Sequence, residues 1–405
     1  MNARVEQWLT NFEKEHQSAA RLLFDGLDLV SEDQVRNGLS ETIERLSTSL
    51  AGPIVFLPVR ELGKDTSYFA LGNQSQTPEI LAPRGEHGSE AIIANVVTGQ
   101  LRRKHTPFLA NPSIDSMRHS RVRTLLLVTD FAGSGDQIIN FERNVARNPT
   151  IASWRSRKWI EIHALVYAAT TSAIKRLHEH FGKNQTHVFK ACRSFDDCGW
   201  SQDERGAVEL LCESYGPRRR RRGSRNFGPY GYKNTQGMMA FSYSVPNNLP
   251  AILTGRGRPH HKHDWQMLFE GRVVPQELRT LFGDASPEAR LHRSLKAARQ
   301  EQLAKGSWAA VAGTEASRVL LVLAAMSRRP QRIDQVMAIT GLASIEIVQI
   351  ARCLRNWGLV GENLHLTDAG RKELHHARTL KLLDPPPLLH ANEEPYYPRQ
   401  LRVGR

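Results

Sequence analysis

Short apolar runs alternate with stretches of helical spacing between residues 51 and 200. The runs fall at 53–59, 68–71, 124–128, 160–167 and 187–190, and helical spacing appears at 90–101, 136–147 and 172–181. Apolar runs with few polar residues indicate strands that are buried on both faces of a parallel sheet. The pattern predicts a doubly wound α/β domain with its ligand site at the carboxyl ends of the strands.

The two ends of the chain carry helical rather than alternating patterns. They divide the chain into a helical N-terminal cap at 1–50, the α/β domain at 51–285, a basic helical connector at 286–312, a helical domain at 313–380 and an irregular proline-rich tail at 381–405. Two further apolar segments in the α/β region, 238–243 and 251–253, have the composition of strands.

The segment at 313–380 follows the order helix, helix, tight turn, helix, small hairpin and helix. Gly341 supplies the turn, and Ser344 and Thr367 are expected to cap the third and the last helix. The apolar positions of the third helix are expected to face inward: Ile345, Val348, Leu354 and Trp357. This order resembles a winged helix-turn-helix, and the exit LTDAGRKEL is typical of bacterial members.

A winged helix reads nucleic acid with the polar face of its third helix, which here would present Ser344, Gln349, Arg352 and Arg355. An arginine run in a glycine-rich stretch offers a second contact for phosphates, with Arg218, Arg219, Arg220, Arg221 and Arg222. Two alternatives stay open. The winged helix would serve protein docking or dimerisation, and the arginine run would be a solvated loop.

The charge of the chain favours a polyanionic partner. Among 405 residues, 55 are Lys or Arg and 41 are Asp or Glu, which gives a formal charge of +14. Such an excess attracts DNA or RNA, because each neutralised phosphate releases counterions. No long apolar span is present, so no membrane is expected. The first residues are polar and show no secretory pattern, which predicts a cytoplasmic protein. The four cysteines include no CxxC pair, which predicts reduced thiols and no metal site.

The stretch LLLVTDFAGSGDQIINFERNV, residues 125–145, carries the candidate chemistry. An apolar strand ends near Asp130, and Gly133, Ser134 and Gly135 lead directly into a helix. Glycines let successive backbone N–H groups turn towards an anion, and the helix adds its positive end. A carboxylate just before this turn suits a sugar hydroxyl. The segment therefore predicts a site for a sugar 5′-phosphate.

This segment resembles the phosphoribosyl diphosphate motif of type I phosphoribosyltransferases, in which two acids end a strand ahead of a Ser/Thr/Gly loop. The resemblance implies a phosphoribosyltransferase-type sheet and a catalytic pair of Thr129 and Asp130, with Asp130 holding the ribose hydroxyls. The 5′-phosphate would be cradled by Gly133, Ser134, Gly135, Asp136 and Gln137. Thr129 stands where the family has its first acid, and a hydroxyl cannot share Mg²⁺ binding as a carboxylate does. The cofactor is therefore left open, with Mg²⁺ as the candidate.

Two further segments fit the same family. In IVFLPVRELGK, Arg60, Gly63 and Lys64 follow an early strand, where type I transferases place their diphosphate-binding loop. The segment ANPSIDSMRHSRVRT, 110–124, lies where these enzymes carry a mobile hood. Its polar candidates are Asp115, Arg118 and His119.

The order of motifs along the chain resembles the ribosyltransferase-like/DNA-binding accessory proteins of bacterial retrons. The motifs are NPSID, TDFAGSGDQ, SVPNNLPAIL and WQMLF, followed by the winged helix. The resemblance implies an anti-phage effector that is controlled by a reverse transcriptase with its non-coding RNA and multicopy single-stranded DNA. Its reaction would be glycosyl transfer or hydrolysis on a phosphoribosyl or nucleotide ligand. The alternatives are a ligand-sensing, non-catalytic transcriptional regulator and a nucleic-acid scaffold without a ligand site.

Overall fold

The computed structural model of the protein describes residues 2–62, 67–69, 73–78, 89–101, 108–217, 227–255, 264–282, 295, 300, 303, 308–328 and 332–379. Its strands are β1 (Asp28–Val30), β2 (Ile54–Pro58), β3 (Phe108–Ala110), β4 (Thr124–Ala132), β5 (Glu161–Thr170), β6 (Thr186–Cys192), β7 (Phe227–Gly228), β8 (Gly231–Tyr232) and β9 (Met239–Phe241). Five of them form a central sheet in the order β3-β2-β4-β5-β6, with every pair parallel. The mainly parallel sheet predicted from the apolar runs is confirmed.

Helices surround this sheet and build the additions at both ends of the chain. They are α1 (Ala3–Leu9), α2 (Gln17–Asp25), α3 (Glu32–Ser49), α4 (Ser89–Leu101), α5 (Ile114–His119), α6 (Asp136–Val145), α7 (Pro149–Ser156), α8 (Thr171–Phe181), α9 (Gln202–Tyr215), α10 (Gln276–Arg279), α11 (Trp308–Met326), α12 (Ile333–Thr340), α13 (Ser344–Asn356) and α14 (Asp368–Thr379). Among the described residues, no helix has both the length and the hydropathy needed to cross a membrane.

The central strand β4 is apolar from Leu125 to Val128, where both of its faces are covered. Leu126 and Val128 point into a cluster with side chains of α3 and α4. Leu125 and Leu127 point to the other face, into a cluster that includes side chains of α6 and α8. Successive strand residues alternate between faces, so a strand between two helical layers needs apolar residues at every position. This burial fixes the end of β4, where the candidate loop begins.

A third hydrophobic cluster lies beside the sheet and joins distant parts of the chain. It combines α1, α2 and α9 with residues 238–282, and Trp8 at its centre donates a hydrogen bond from Nε1 to the Ile252 carbonyl at 3.0 Å. Strand β1 pairs in parallel with β9, which ties residues 28–30 to residues 239–241. The first fifty residues therefore include a strand, whereas the spacing of their leucines suggested that they are wholly helical.

Three other local expectations differ from the structure. Tyr68 and Phe69 lie in a bend and not in a strand, and Tyr68 packs edge-on against Phe141 of α6. The edge strand β3 was not predicted, because three residues are too short for an alternating pattern to show. Residues Ala251–Leu253 form a short 3-10 helix that begins directly after Pro250, and not a strand.

The C-terminal helices form the expected winged helix. Gly341 ends α12 with φ of +70°, Val360 and Leu366 pair in the small hairpin, and the Gly370 amide donates to Thr367 Oγ1 at 3.1 Å. The inward assignment of Val348 and Trp357 is wrong, since they are 51% and 59% exposed. The buried stripe of α13 instead consists of Ile347, Ala351 and Leu354, at i, i+4 and i+7.

The winged helix is docked on β6, an edge strand of the central sheet. Ser344 begins α13 and does not cap it. Its hydroxyl donates to the Val188 carbonyl of β6 at 3.2 Å. Arg193 donates from Nε to the Ala338 carbonyl of α12 at 3.1 Å. Outward-facing backbone groups of an edge strand need such partners or water. The winged helix therefore completes the surface of the α/β domain.

A pair of stacked imidazoles joins β5 to β6. His163 Nδ1 lies 3.0 Å from His187 Nε2, the ring centroids are 5.3 Å apart, and Glu161 lies 3.1 Å from the other nitrogen of His163. Burial lowers the pKa of both rings below the ordinary histidine value. Burial, together with the charges of His163 and Arg45, lowers the pKa of His187 to about 4. The folded protein thus keeps His187 neutral in mild acid.

We expect acid to destabilise the protein through His187. Because its folded pKa is depressed, stability is retained above the ordinary value of 6.5 and is lost as the pH falls towards 4. His187→Gln should reduce this acid-induced loss by about 2 kcal/mol. Urea unfolding above pH 6.5 and near pH 4 measures it, with the exposed His119→Gln as control. Equal acid sensitivity in all three proteins would contradict this assignment.

Candidate functional site

A cleft of about 780 Å³ opens at the carboxyl end of β4. Its walls come from the end of β4, the loop at 133–135, α6, residues 60–62 after β2, and residues between 232 and 272. Parallel α/β sheets bind ligands at this edge, and the volume is within the range of pockets for small organic ligands. The cleft therefore lies at the edge of the sheet where the sequence predicted a ligand site.

The glycine loop makes a compact turn at the start of α6. Gly135 is the N-cap of α6 with φ of +75°, a conformation that favours glycine, and no side chain caps this helix. Thr170 Oγ1 donates to the Gly133 carbonyl at 2.6 Å, and Arg176 donates to the Ser134 carbonyl at 3.3 Å. The carbonyls are thus bound from the side of α8. Among the first-turn amides of α6, that of Asp136 donates to Ser134 Oγ at 3.4 Å, while Gln137 and Ile138, which line the cleft, have no side-chain cap for their amides.

Gly133 is required because another part of the chain touches it. A Cβ built at this position would lie 2.1 Å from Oδ1 and 2.2 Å from Cγ of Asn248. Asn248 is buried, and its Nδ2 donates to Thr235 Oγ1 at 2.7 Å. The segment SVPNNLPAIL therefore packs over the loop. In the sequence it was only one motif of a family resemblance.

Asp136 is already neutralised by cations of the protein. It forms ion pairs with Arg176 of α8 and Lys233, and Ser134 Oγ donates to its Oδ2 at 2.8 Å. Burial opposes ionisation of this carboxyl, but the hydrogen bonds of Lys233 and Ser134 and the charge of Arg176 outweigh it and lower its pKa. Asp136 is consequently an anion that orders two cations around the loop.

Asp130 lines the cleft but is largely covered. It is 8% exposed, Tyr243 Oη donates to its Oδ2 at 3.0 Å, and Thr129 Oγ1 lies 3.4 Å from its Oδ1. Burial raises the pKa of Asp130, although these hydrogen bonds favour its charged form. Burial and the neighbouring Asp130 charge raise the pKa of Tyr243, which keeps that hydroxyl a donor.

The remaining predicted residues divide into three groups. Arg60 lines the cleft, and its guanidinium lies 5.1 Å from the ring centroid of Tyr68. Gly63, Lys64 and the arginine run from Arg218 to Arg222 lie outside the described residues. Asp115, Arg118 and His119 do not line the cleft, and Asp115 pairs with Arg118 on the surface.

Several lining residues were missed by sequence reasoning. Asn248 lines the cleft, and Tyr243 and Lys233 contact its acids Asp130 and Asp136; all three come from the segment after the arginine run, more than ninety positions beyond their partners. Arg143 lines the cleft from the last turn of α6, and Arg147 lines it from the turn that follows. The i, i+3 spacing of Asn140 and Arg143 in a predicted helix was a usable signal, because such positions are neighbours on the helix surface.

The winged helix presents part of its predicted reading face. Gln349, Arg352 and Arg355 are exposed on α13, next to the exposed Val348. Ser344 instead contacts β6. Glu346, near the start of α13, pairs with Arg318 of α11 at 3.1 Å. The middle and the end of α13 therefore form the accessible surface, while its beginning faces the α/β domain.

Comparison with known proteins gives two family matches. A family model described as PRTase-CE matches residues 5–270, and one described as wHTH-PRTase associated matches residues 320–403. Searches of the curated proteins and of the solved structures gave no match. The first range includes the central sheet, the glycine loop and most of the third cluster. The second includes α12 to α14 and the small hairpin between α13 and α14.

Gly133→Ala should destabilise the protein by about 1–3 kcal/mol, because the new methyl group would overlap Asn248. Gly99→Ala is the matched control, since Gly99 lies in α4 with open space at its Cβ position. Chemical unfolding of both variants measures the difference, and adding Asn248→Ala to Gly133→Ala should restore part of the loss. Equal stability of the two single variants would show that the loop does not approach Asn248 this closely.

Proposed function

The chain belongs to the PRTase-CE family and carries a wHTH-PRTase associated domain, and on that basis we propose that its cleft binds a phosphoribosyl or nucleotide ligand. One observation carries the proposal. The glycine loop, the N-terminus of α6 and the carboxylate of Asp130 all line a single cleft at the end of β4.

The ligand would place its 5′-phosphate on the first-turn amides of α6. Arg176 and Lys233 support this position, because they offset the charge of Asp136 beside the loop. Asp130 would accept a hydrogen bond from a ribose hydroxyl, with Tyr243 holding the carboxylate in place. Glycosyl transfer or hydrolysis would break the bond between the anomeric carbon and its leaving group, on the side of Arg60.

At the level of the cell, the protein would act as an effector of a retron-type anti-phage system. The order of motifs supports this role, as do the charge of +14 and the exposed arginines of α13. Its partners would be a reverse transcriptase with its non-coding RNA and multicopy single-stranded DNA, which offer the phosphates that such a surface attracts. Release from these partners would activate the effector.

Two observations favour a second function, that of a ligand-sensing regulator without turnover. Thr129 replaces the first acid of the motif, and Asp130 is mostly covered by Tyr243. In addition, the winged helix contacts β6, the strand next to β5, so changes at the sheet have a direct route to α13. A regulator would bind the ligand without converting it.

Asp130→Asn should weaken binding of phosphoribosyl diphosphate by about tenfold, because the amide loses one charge-assisted acceptor. Isothermal titration calorimetry with the full chain measures this, and Asp115→Asn, a surface carboxylate away from the cleft, is the control. Absence of binding to the wild-type protein would overturn the proposed ligand class. Chromatography of the ligand after incubation separates an enzyme from a regulator.

Arg352→Gln with Arg355→Gln should weaken binding to an RNA–DNA hybrid and reduce the slope of affinity against salt concentration by about two. Fluorescence anisotropy at several salt concentrations measures both effects. Arg36→Gln with Arg45→Gln removes the same charge from α3 and should leave the slope unchanged. If the α13 pair behaves like the α3 pair, α13 is not the nucleic-acid surface.

A further inference from the structure

The carboxylates that line the cleft do not form a magnesium site. Three are present among its described lining residues: Glu61, Asp130 and Asp136. Asp136 already binds Arg176, Lys233 and Ser134, so its oxygens are committed to protein donors. A Mg²⁺ ion bound through a phosphate needs one or two carboxylates that can reach it together with its waters.

Asp130 cannot bind Mg²⁺ as a pair of exposed acids would. Its side chain is 8% exposed and both of its oxygens have hydroxyl neighbours, Tyr243 and Thr129. The neighbouring position, where the family motif has its first acid, is Thr129. Glu61, on the segment after β2, is left as a single exposed carboxylate without a second available acid among the described lining residues. The residues present therefore do not fit Mg²⁺ as the ion that neutralises a diphosphate.

Arginines line the same cleft without carboxylate partners. Arg143 lies in the last turn of α6 and Arg147 in the turn that follows this helix, and both side chains are exposed. Neither forms an ion pair with a carboxylate in the part of the chain that the structure describes. Their neighbours differ in this respect, because Arg155 pairs with Glu142 and Arg176 with Asp136.

Arg60 adds a third cation with an unfilled hydrogen-bonding position. Its Nε is buried and has no partner among the described residues, although the guanidinium stacks over Tyr68. Tyr68 in turn donates its amide to Asn144 Oδ1 of α6 at 2.8 Å, and Asn144 lines the same cleft as Arg60, Arg143 and Arg147. A buried donor without an acceptor is costly, so an arriving anion would be favoured here.

We propose that the cleft takes a ribosyl ligand bearing a diphosphate and binds that diphosphate without Mg²⁺, with Arg143, Arg147 and Arg60 neutralising its charge. This inference rests on the proposed function, since it concerns the same ligand class. Guanidinium groups bind phosphate oxygens through paired N–H donors. The arginines would thus neutralise the diphosphate in place of a metal ion held by carboxylates. The monophosphate at the glycine loop does not involve these arginines.

The test compares two ligands in two ion conditions with the full chain. Ribose 5-phosphate probes the loop alone, and phosphoribosyl diphosphate adds the diphosphate. Calorimetry is performed in excess Mg²⁺ and in EDTA. We expect the affinity for phosphoribosyl diphosphate to agree within about twofold between the two conditions. Arg143→Gln with Arg147→Gln should lower it by about tenfold or more, and should leave ribose 5-phosphate binding unchanged within about twofold.

The control is Arg36→Gln with Arg45→Gln, which removes the same charge from the opposite face of the sheet and should bind both ligands like the wild type. Thermal unfolding of both double variants shows that the folds are intact, which matters because Arg143 also lies in the last turn of α6, where a cation favours the helix dipole. If ribose 5-phosphate binds but phosphoribosyl diphosphate requires Mg²⁺, or the α6 pair has no effect, the inference is overturned. If neither ligand binds to the wild type, the proposed function fails as well.

Discussion

The close approach of Asn248 to Gly133 is the constraint on which the cleft depends. It holds the segment of residues 227–255 against the loop at the end of β4. The same segment supplies Tyr243 to Asp130 and Lys233 to Asp136. The central sheet positions the backbone of the glycine loop, and the segment of residues 227–255 provides the side chains that contact the two acids. Neither part makes the cleft alone.

The charges around the loop follow from this shared construction. Asp136 is an internal anion with two internal cations, so this group of three carries one net positive charge before a ligand arrives. Asp130 is buried with hydroxyl donors, which suits recognition of a sugar hydroxyl more than binding of an exposed ion. The positive side of the cleft is instead the face of α6 that carries arginines, together with Arg60.

The part of the site that could be predicted from the sequence is the part that is continuous in the chain. The apolar strand, Asp130, the Gly-Ser-Gly turn and the helix that follows are consecutive, and each has a local signature. Tyr243 contacts Asp130 across 113 positions, and nothing in its neighbours indicates that contact. The error at Val348 and Trp357 has a similar origin, because apolar residues on a short helix do not show which face has a partner. Gly63, Lys64 and the arginine run stay predictions.

The docking of α12 and α13 on β6 has a consequence for how the two parts of the protein depend on each other. The winged helix lies against β6, an edge strand of the five-stranded sheet, and the side chains of Ser344 and Arg193 each donate to a backbone carbonyl across the boundary. A duplex or a protein that binds the beginning of α13 must first separate the winged helix from β6. The uncovered strand would then be open to pairing with a strand of another molecule, so that separation of the domains and self-association of the α/β domain become linked events.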